Sequence, residues 1–275
     1  MFIDPLNEDW VEVLRKRMSA MAPEVNLYLL IDGVFVPGLF RSREFNSIDA
    51  CGPRLLFDAL PGCSEAVRDA SPFLVPIKIL TPNLINKLTR CSGWPMLSAI
   101  ETAETIDGLA NRFSAWCVIE NDGQRFNFRF PDTRRLPRIF EMLSSRQRDE
   151  MSGPMRAWSY IARDGNWLHL PVAGNPHSVA ANPSLDNAQF AAMVRDSEAD
   201  EMLSRLYYGG LESTASRSVQ YQTVRAALQA AALANLPDEW HMAWCEFTLE
   251  QGDQDIGVAS LAKWKMMEMA DVPDR

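Results

Sequence analysis

Few residues in this chain of 275 are suited to acid–base, nucleophilic or metal chemistry. The three histidines, His169, His177 and His241, lie outside any H-E-x-x-H motif and show no metal-ligand spacing. The sequence contains no G-x-S-x-G nucleophile elbow and no glycine-rich loop of the kind that cradles phosphates. We therefore predict that the protein is not an enzyme, with no catalytic residue, no metal ligand and no cofactor.

The cysteines argue against both a disulfide framework and a zinc site. They are odd in number and scattered, without a C-x-x-C pair: Cys51, Cys63, Cys91, Cys117 and Cys245. We expect them to be small buried hydrophobic residues that stay reduced.

The sequence predicts a cytoplasmic protein without membrane insertion. The segment from Met1 to Asp9 has neither the basic region nor the apolar run of a signal peptide. No apolar run reaches the roughly 18 residues of a membrane helix. The best candidate, Leu27 to Phe40, is interrupted by Asp32, Gly33 and Pro37.

The negative charge is concentrated in the last third of the chain. The formal net charge is -9, and residues 182–275 hold 15 acidic residues against 7 basic ones, a net charge of -8. This balance gives no basic footprint for nucleic acid. Acidic groups such as Asp253/Asp255 lack the glycine and closing Glu of a calcium loop, so a solvated acidic face is expected.

Hydrophobic periodicity predicts an α+β N-terminal lobe, residues 1–175, followed by an all-α acidic lobe, residues 186–275. The N-terminal lobe is predicted to contain strands at 26–35 and 72–79, helices at 105–116 and 136–151, and β-hairpins around 121–124 and 164–165. The strand at 72–79 is expected to lie at an edge or to be irregular, because it contains two prolines. The helical lobe is predicted to contain helices at 186–207, with a possible break near Ser197, and at 221–236, 237–250 and 257–270.

Five segments occur in a characteristic order: Leu27–Gly33, Ser71–Val75, the helix and hairpin Leu109–Phe130, the strand end Phe128–Arg134, and Gly153–Trp158. Together they resemble the effector adaptor (chaperone) family of bacterial type VI secretion loci, long catalogued as a domain of unknown function. The resemblance covers about residues 25–160.

The family's hairpin strand usually runs F-R-F-Y-D-P-R, and this chain departs from it at Pro131 and Thr133. The motif positions that match the family are Asp32, Arg129, Asp132, Arg134, Gly153, Pro154 and Trp158. Independently of the family, Arg129, Asp132 and Arg134 are spaced to form a charge-assisted hydrogen-bond cluster that pins the turn. The alternative is that these side chains contact a partner directly.

The resemblance implies a non-catalytic cytosolic protein that binds a secreted effector and helps load it onto the valine-glycine repeat spike protein of the secretion apparatus. We hypothesise that the α+β lobe performs the task common to the family and that the acidic lobe selects the effector. Candidate effector-binding residues are Trp240, Trp244 and Trp264, since tryptophan is frequent at interface anchors. These three side chains could equally form the core of the helical lobe.

Two other functions stay open on the sequence alone. An immunity protein that neutralises a toxin would also suit an acidic surface, because acidic inhibitors can cap basic sites. A small hydrolase with an unrecognised site would be indicated by a deep pocket lined with Asp132, His169 or His177.

Overall fold

The computed structural model of the protein describes residues 3–46, 52–58, 60–177, 183–252 and 256–270. The chain divides into two compact units, Met1–Met193 and Val194–Arg275. The first is built on an antiparallel sheet flanked by helices, and the second is helical. The predicted fold class, an α+β lobe with β-hairpins followed by an all-α lobe, is therefore confirmed.

Within the described residues, six strands form one antiparallel sheet in the order β2-β3-β1-β4-β7-β8, and β5 and β6 form a separate hairpin. The strands are β1 (Asn26–Ile31), β2 (Arg54–Leu55), β3 (Phe73–Pro76), β4 (Leu97–Thr102), β5 (Val118–Asn121), β6 (Gln124–Asn127), β7 (Met155–Ile161) and β8 (Trp167–Leu170).

Strand β1 lies inside the sheet and is buried on both faces. Leu27, Leu29 and Ile31 belong to the core on one face, while Tyr28 and Leu30 belong to the core on the other. Because side chains alternate along a strand, a strand buried on both faces needs a continuous apolar run. This is why the segment NLYLLI shows no polar alternation.

Helices contribute to both of these cores. Those of the N-terminal unit are α1 (Trp10–Ala20), α2 (Arg43–Asn46), α3 (Glu65–Asp69), α4 (Pro82–Thr89), α5 (Ile106–Trp116), α6 (Leu136–Met142) and α7 (Ser145–Ser152). Apolar residues of α5, α6 and α7 join the core that contains Tyr28. Those of α1, α2 and α4 join the core that contains Leu29.

Both predicted hairpins are present. In the first, β5 and β6 meet at the pair Asn121↔Gln124, and both intervening residues, Asp122 and Gly123, have positive φ angles of 48° and 72°. Positive φ at both central positions is the geometry of a type I′ turn, which the sequence Asp-Gly favours. In the second, β7 pairs with β8 from Trp158↔Leu170 to Ile161↔Trp167.

Some local predictions were wrong. Strand β3 is not at an edge, because its prolines fall before the strand and at its last position, so Phe73 to Val75 can pair with β2 and β1. The single helix predicted over 136–151 is two helices. Leu143 is extended, and Ser144 begins α7 through a capping box with Gln147.

The helical unit contains α8 (Asn187–Tyr208, which begins in the N-terminal unit), α9 (Arg217–Leu233), α10 (His241–Gln251) and α11 (Val258–Ala270). Helix α8 is unbroken at Ser197, whose hydroxyl donates to the Val194 carbonyl at 2.7 Å without ending the helix. In the described part of the chain, no helix combines the length and apolar character needed to cross a bilayer.

The accessibility of the cysteine thiols to a reagent tests which of them are buried in the cores. Cys91, Cys117 and Cys245 are buried and Cys63 is partly exposed, whereas Cys51 lies outside the described residues. Burial raises the pKa of Cys91 to about 11 and that of Cys245 to about 12, and it raises the pKa of Cys117 as well. A raised pKa leaves little reactive thiolate at pH values near 8.

In a Cys51→Ser chain, a disulfide-exchange reagent should therefore modify one thiol rapidly and the other three only on unfolding. A further Cys63→Ser substitution should remove the rapid phase. Rapid modification of two or more thiols in the folded Cys51→Ser chain would contradict this packing.

Candidate functional site

The motif residues Asp32, Arg129, Asp132 and Arg134 come together at the C-terminal end of β1. Asp32 directly follows β1, and the other three lie between β6 and α6. Arg129 Nη2 donates to Asp32 Oδ2 at 2.7 Å and joins positions 97 residues apart. Its distance to Asp132 Oδ2 is 4.0 Å. The carboxylate nearest to Arg129 is therefore supplied by the strand end and not by its own loop.

Asp132 and Arg134 form a second, local ion pair. Asp132 Oδ1 accepts from the Arg134 backbone N–H at 3.1 Å and from Nε at 3.0 Å, and Oδ2 accepts from Nη2 at 2.7 Å. The side chain of Asp132 is only 3% exposed, so its burial requires such donors. Forked arginine–carboxylate pairs are both strong and directional, and this pair holds the turn between β6 and α6.

An aromatic ring contributes to the same cluster. The Phe35 centroid lies 5.2 Å from Cζ of Arg129 and 5.7 Å from Cζ of Arg134, within the range of cation–π attraction. Phe35 belongs to the short 3₁₀ turn that Asp32 caps by accepting from the Val34 N–H at 3.2 Å. The segment after β1 thus supplies both a carboxylate and a ring to the two arginines.

The burial of Asp32 disfavours the ionised form of its carboxyl group. Burial raises the pKa of its carboxyl group, and the positive charge of Arg129 opposes that rise. The side chain of Asp32 is 3% exposed, whereas that of Arg129 is 40% exposed. Because the arginine is partly hydrated, it compensates only in part for the loss of water around the carboxylate.

A pocket of about 330 Å³ opens beside the cluster. Asp32 and Arg129 form part of its wall, and apolar side chains including Val34, Phe57 and Val67 form most of the rest. Val34 and Val67 are 37% and 40% exposed at this surface. An apolar pocket with one oriented polar pair suits recognition of an apolar side chain.

Glycine is required at position 153 by the backbone conformation, and a neighbouring arginine leaves little room for a larger residue. It ends α7 with φ 54° and ψ −137°, and an added Cβ would lie 2.4 Å from Cζ of Arg112. Arg112 donates to the Glu104 carboxylate at 2.6 Å and to the backbone carbonyls of Glu150 and His177 at 2.8 and 2.7 Å. Sequence reasoning missed Arg112, since nothing local connects it with the glycine.

The remaining motif residues of this segment, Pro154 and Trp158, are partly or fully buried. Pro154 connects α7 to β7 and is partly buried. Trp158 is fully buried, with its ring centroid 5.1 Å from that of Phe113 and 6.2 Å from that of Phe130. Because Phe130 follows Arg129 in the chain, this packing anchors the motif loop in the core.

The three tryptophans of the helical unit differ in accessibility. Trp244 and Trp264 are each 1% exposed, with ring centroids 5.4 Å apart. Trp240 is 39% exposed, and its ring meets that of Trp264 edge-on at 6.0 Å. Of the candidate effector-binding residues, Trp240 therefore offers an accessible ring, while the other two form the core beneath it.

The residues that would indicate a hydrolase are engaged in separate contacts. Nδ1 of His169 lies 3.0 Å from Oγ of Ser159, and Arg17 contacts both side chains. Burial, together with the charge of Arg17, lowers the pKa of His169. Ser159 is completely buried, which keeps its hydroxyl from a substrate. Asp132 is paired with an arginine, and His177 meets a different arginine through its carbonyl.

The side chains that could ligate a metal ion are dispersed in the described part of the chain. The acidic group Asp253/Asp255 lies outside the described residues. Among the side chains that are described, no three of His, Cys, Asp and Glu are grouped so as to hold a metal ion.

Comparison with known proteins gives one match. Residues 27–150 match the family model described as Domain of unknown function (DUF4123). The matched segment begins in β1 and ends in α7, so it contains Asp32, Arg129, Asp132 and Arg134 and stops just before Gly153. No curated protein and no solved structure matches the chain.

Replacing Asp32 by Asn tests the cost of its burial. Because the folded-state pKa of Asp32 is raised, its contribution to the free energy of unfolding is most favourable below the ordinary pKa, 3.8, and declines as the pH rises through the folded-state value. The free energy of unfolding of the wild type minus that of Asp32→Asn should thus fall as the pH rises from about 4 towards neutrality. Urea titrations across this range measure it.

An Arg129→Gln background provides the matched comparison for the same Asp32→Asn substitution. Removing the charge that opposes the rise in pKa should extend the decline to higher pH and enlarge it. A wild-type advantage over Asp32→Asn that grows with pH would show that the pKa is lowered instead.

Gly153→Ala should lower the free energy of unfolding by roughly 2–4 kcal/mol, because it combines a positive φ with displacement of the Arg112 guanidinium. Gly123→Ala is a control for positive φ alone, since an added Cβ there meets nothing within 4 Å. The control should cost about 1 kcal/mol. Equal losses in the two variants, measured by chemical denaturation, would remove Arg112 from the explanation.

Proposed function

We propose that the protein is a non-catalytic adaptor, or chaperone, of a bacterial type VI secretion system. In this proposal it binds a toxic effector in the cytoplasm and promotes its loading onto the valine-glycine repeat spike protein. The observation that carries the proposal is the position of the family match. Residues 27–150 coincide with the segment, about residues 25–160, in which the sequence resembles that adaptor family.

The geometry of the candidate site favours recognition over catalysis. The carboxylates of Asp32 and Asp132 both accept hydrogen bonds from arginine, so their lone pairs are used to hold the motif loop in place. The adjacent pocket is mainly apolar, with Arg129 at its wall. Such a surface supports binding of a protein side chain, where arginine and apolar groups are favoured.

The helical unit is the better candidate for effector selection. Its acidic composition would steer a partner of opposite charge and raise the rate of association. Trp240 is partly exposed there, and the side chain of Asp238 near it is fully exposed. An exposed aromatic ring beside a carboxylate suits a partner surface that is both apolar and basic.

Co-purification with the products of neighbouring genes tests this function. The full-length chain should retain both the effector and the spike protein encoded beside it, whereas residues 1–193 should retain the spike protein and lose the effector. The cut is placed after 193 because Leu185, Phe190 and Met193 pack in the N-terminal core. Undiminished effector binding by residues 1–193 would overturn the division of labour, and loss of both partners by the full-length chain would overturn the adaptor function.

The acidic helical unit also favours a second candidate function, an immunity protein that caps a basic toxin site. The two functions differ in the cell that needs the protein. An adaptor is required by the attacking cell for delivery and gives no protection to a cell that expresses the toxin. An immunity protein rescues the toxin-expressing cell, which a survival assay with co-expression measures directly.

A further inference from the structure

A groove of about 630 Å³ lies at the opposite end of β1 from the Asp32 cluster. It is formed by the C-terminal half of α1, the first residues of β1 and the segment that follows β3. All of these elements belong to the N-terminal unit. The groove is therefore separate from the motif pocket, although the same central strand positions both.

The lining of the groove is mixed, with flexible apolar side chains beside polar and charged ones. Met18 and Met21 line it together with Leu27, Ile77 and Leu80. Methionine side chains are flexible and polarizable, which suits surfaces that bind irregular apolar groups. A volume of about 630 Å³ lies within the range of sites that bury several side chains of a bound molecule.

The charge of the groove is opposite to that of the whole chain. Arg15 and Lys78 line it and are both exposed, and its described lining includes no Asp or Glu. Among the described residues, neither cation takes part in an ion pair or a side-chain hydrogen bond. The neighbouring acids Glu24 and Glu104 are instead paired with arginines, at 2.7 and 2.6 Å. In a chain of net charge -9, this groove thus carries two uncompensated positive charges.

We propose that this groove binds an acidic segment of a partner protein, with apolar side chains of the segment in the groove and its carboxylates on Arg15 and Lys78. Charge complementarity selects this occupant, because a basic segment would meet like charges, whereas an acidic one gains attraction from both cations. The inference goes beyond the proposed function, which assigns no partner to this end of the sheet. The inference does not depend on the proposed function, because it concerns the chemistry of the groove alone.

Selection of random 16-residue peptides displayed on phage tests the proposal with the full-length chain as bait. Enriched peptides should place Asp or Glu next to Leu, Met or Phe. Made synthetically with a fluorescent label, they should bind Arg15→Glu/Lys78→Glu at least about tenfold more weakly than the wild type. Arg43→Glu/Arg90→Glu is the matched control, because it changes the net charge equally at exposed cations that do not line the groove.

Two further measurements distinguish docking from a general loss of structure. Replacing the acids of an enriched peptide by Lys should weaken binding to the wild type and restore binding to Arg15→Glu/Lys78→Glu. Ser19→Trp, at an exposed lining position, should fill the groove and weaken binding without reversing any charge.

The outcomes of these peptide-binding experiments can be distinguished from those of the co-purification experiment. Failure to enrich any peptide, enrichment of peptides without acidic residues, or equal binding by the wild type and Arg15→Glu/Lys78→Glu would each overturn the groove proposal. None of these results bears on whether the chain co-purifies with an effector and a spike protein.

Discussion

Burial of β1 on both faces is the constraint on which the N-terminal unit depends. Its side chains alternate between two cores, so the strand cannot shift by one residue without exchanging them. At its C-terminal end the chain carries Asp32 into the protein interior, where a carboxylate needs a cation, and Arg129 supplies it. At its N-terminal end the first residues of the strand line the cationic groove. One strand therefore sets the positions of both surfaces of the N-terminal unit that could meet a partner.

The sequence predicted what is determined locally. The hairpin at Asp122-Gly123 follows from two residues that accept positive φ, and the strand segment NLYLLI follows from its continuous apolar character. The pairing of Asp32 with Arg129 could not be predicted, because the two lie 97 positions apart and either could have paired elsewhere. The same holds for Gly153, whose neighbour Arg112 comes from a different helix. The break at Ser144 was missed although its capping box is a local signal.

The net charge of the N-terminal unit does not reveal how charge is distributed over its surface. Its acidic and basic residues are nearly balanced in number, which suggests a surface without strong features. In the structure, many of the acids are paired with arginines, as Glu104 is with Arg112, while Arg15 and Lys78 face a groove without acidic lining. A near-zero sum thus conceals a local positive surface. The acidic helical unit carries the opposite sign, so the chain presents two surfaces of different charge.

Helix α8 has a consequence for how the chain can change in length. Phe190 and Met193 belong to the core of the N-terminal unit, whereas Ala199, Met202 and Leu206 belong to the core of the helical unit. Because each group packs within its own unit, inserting one residue between them would leave both cores intact. It would turn the second group about 100° around the helix axis relative to the first, whereas an insertion of three or four residues would come close to a full turn. A change in length at this junction therefore alters the direction in which the two groups point and not the packing of either core.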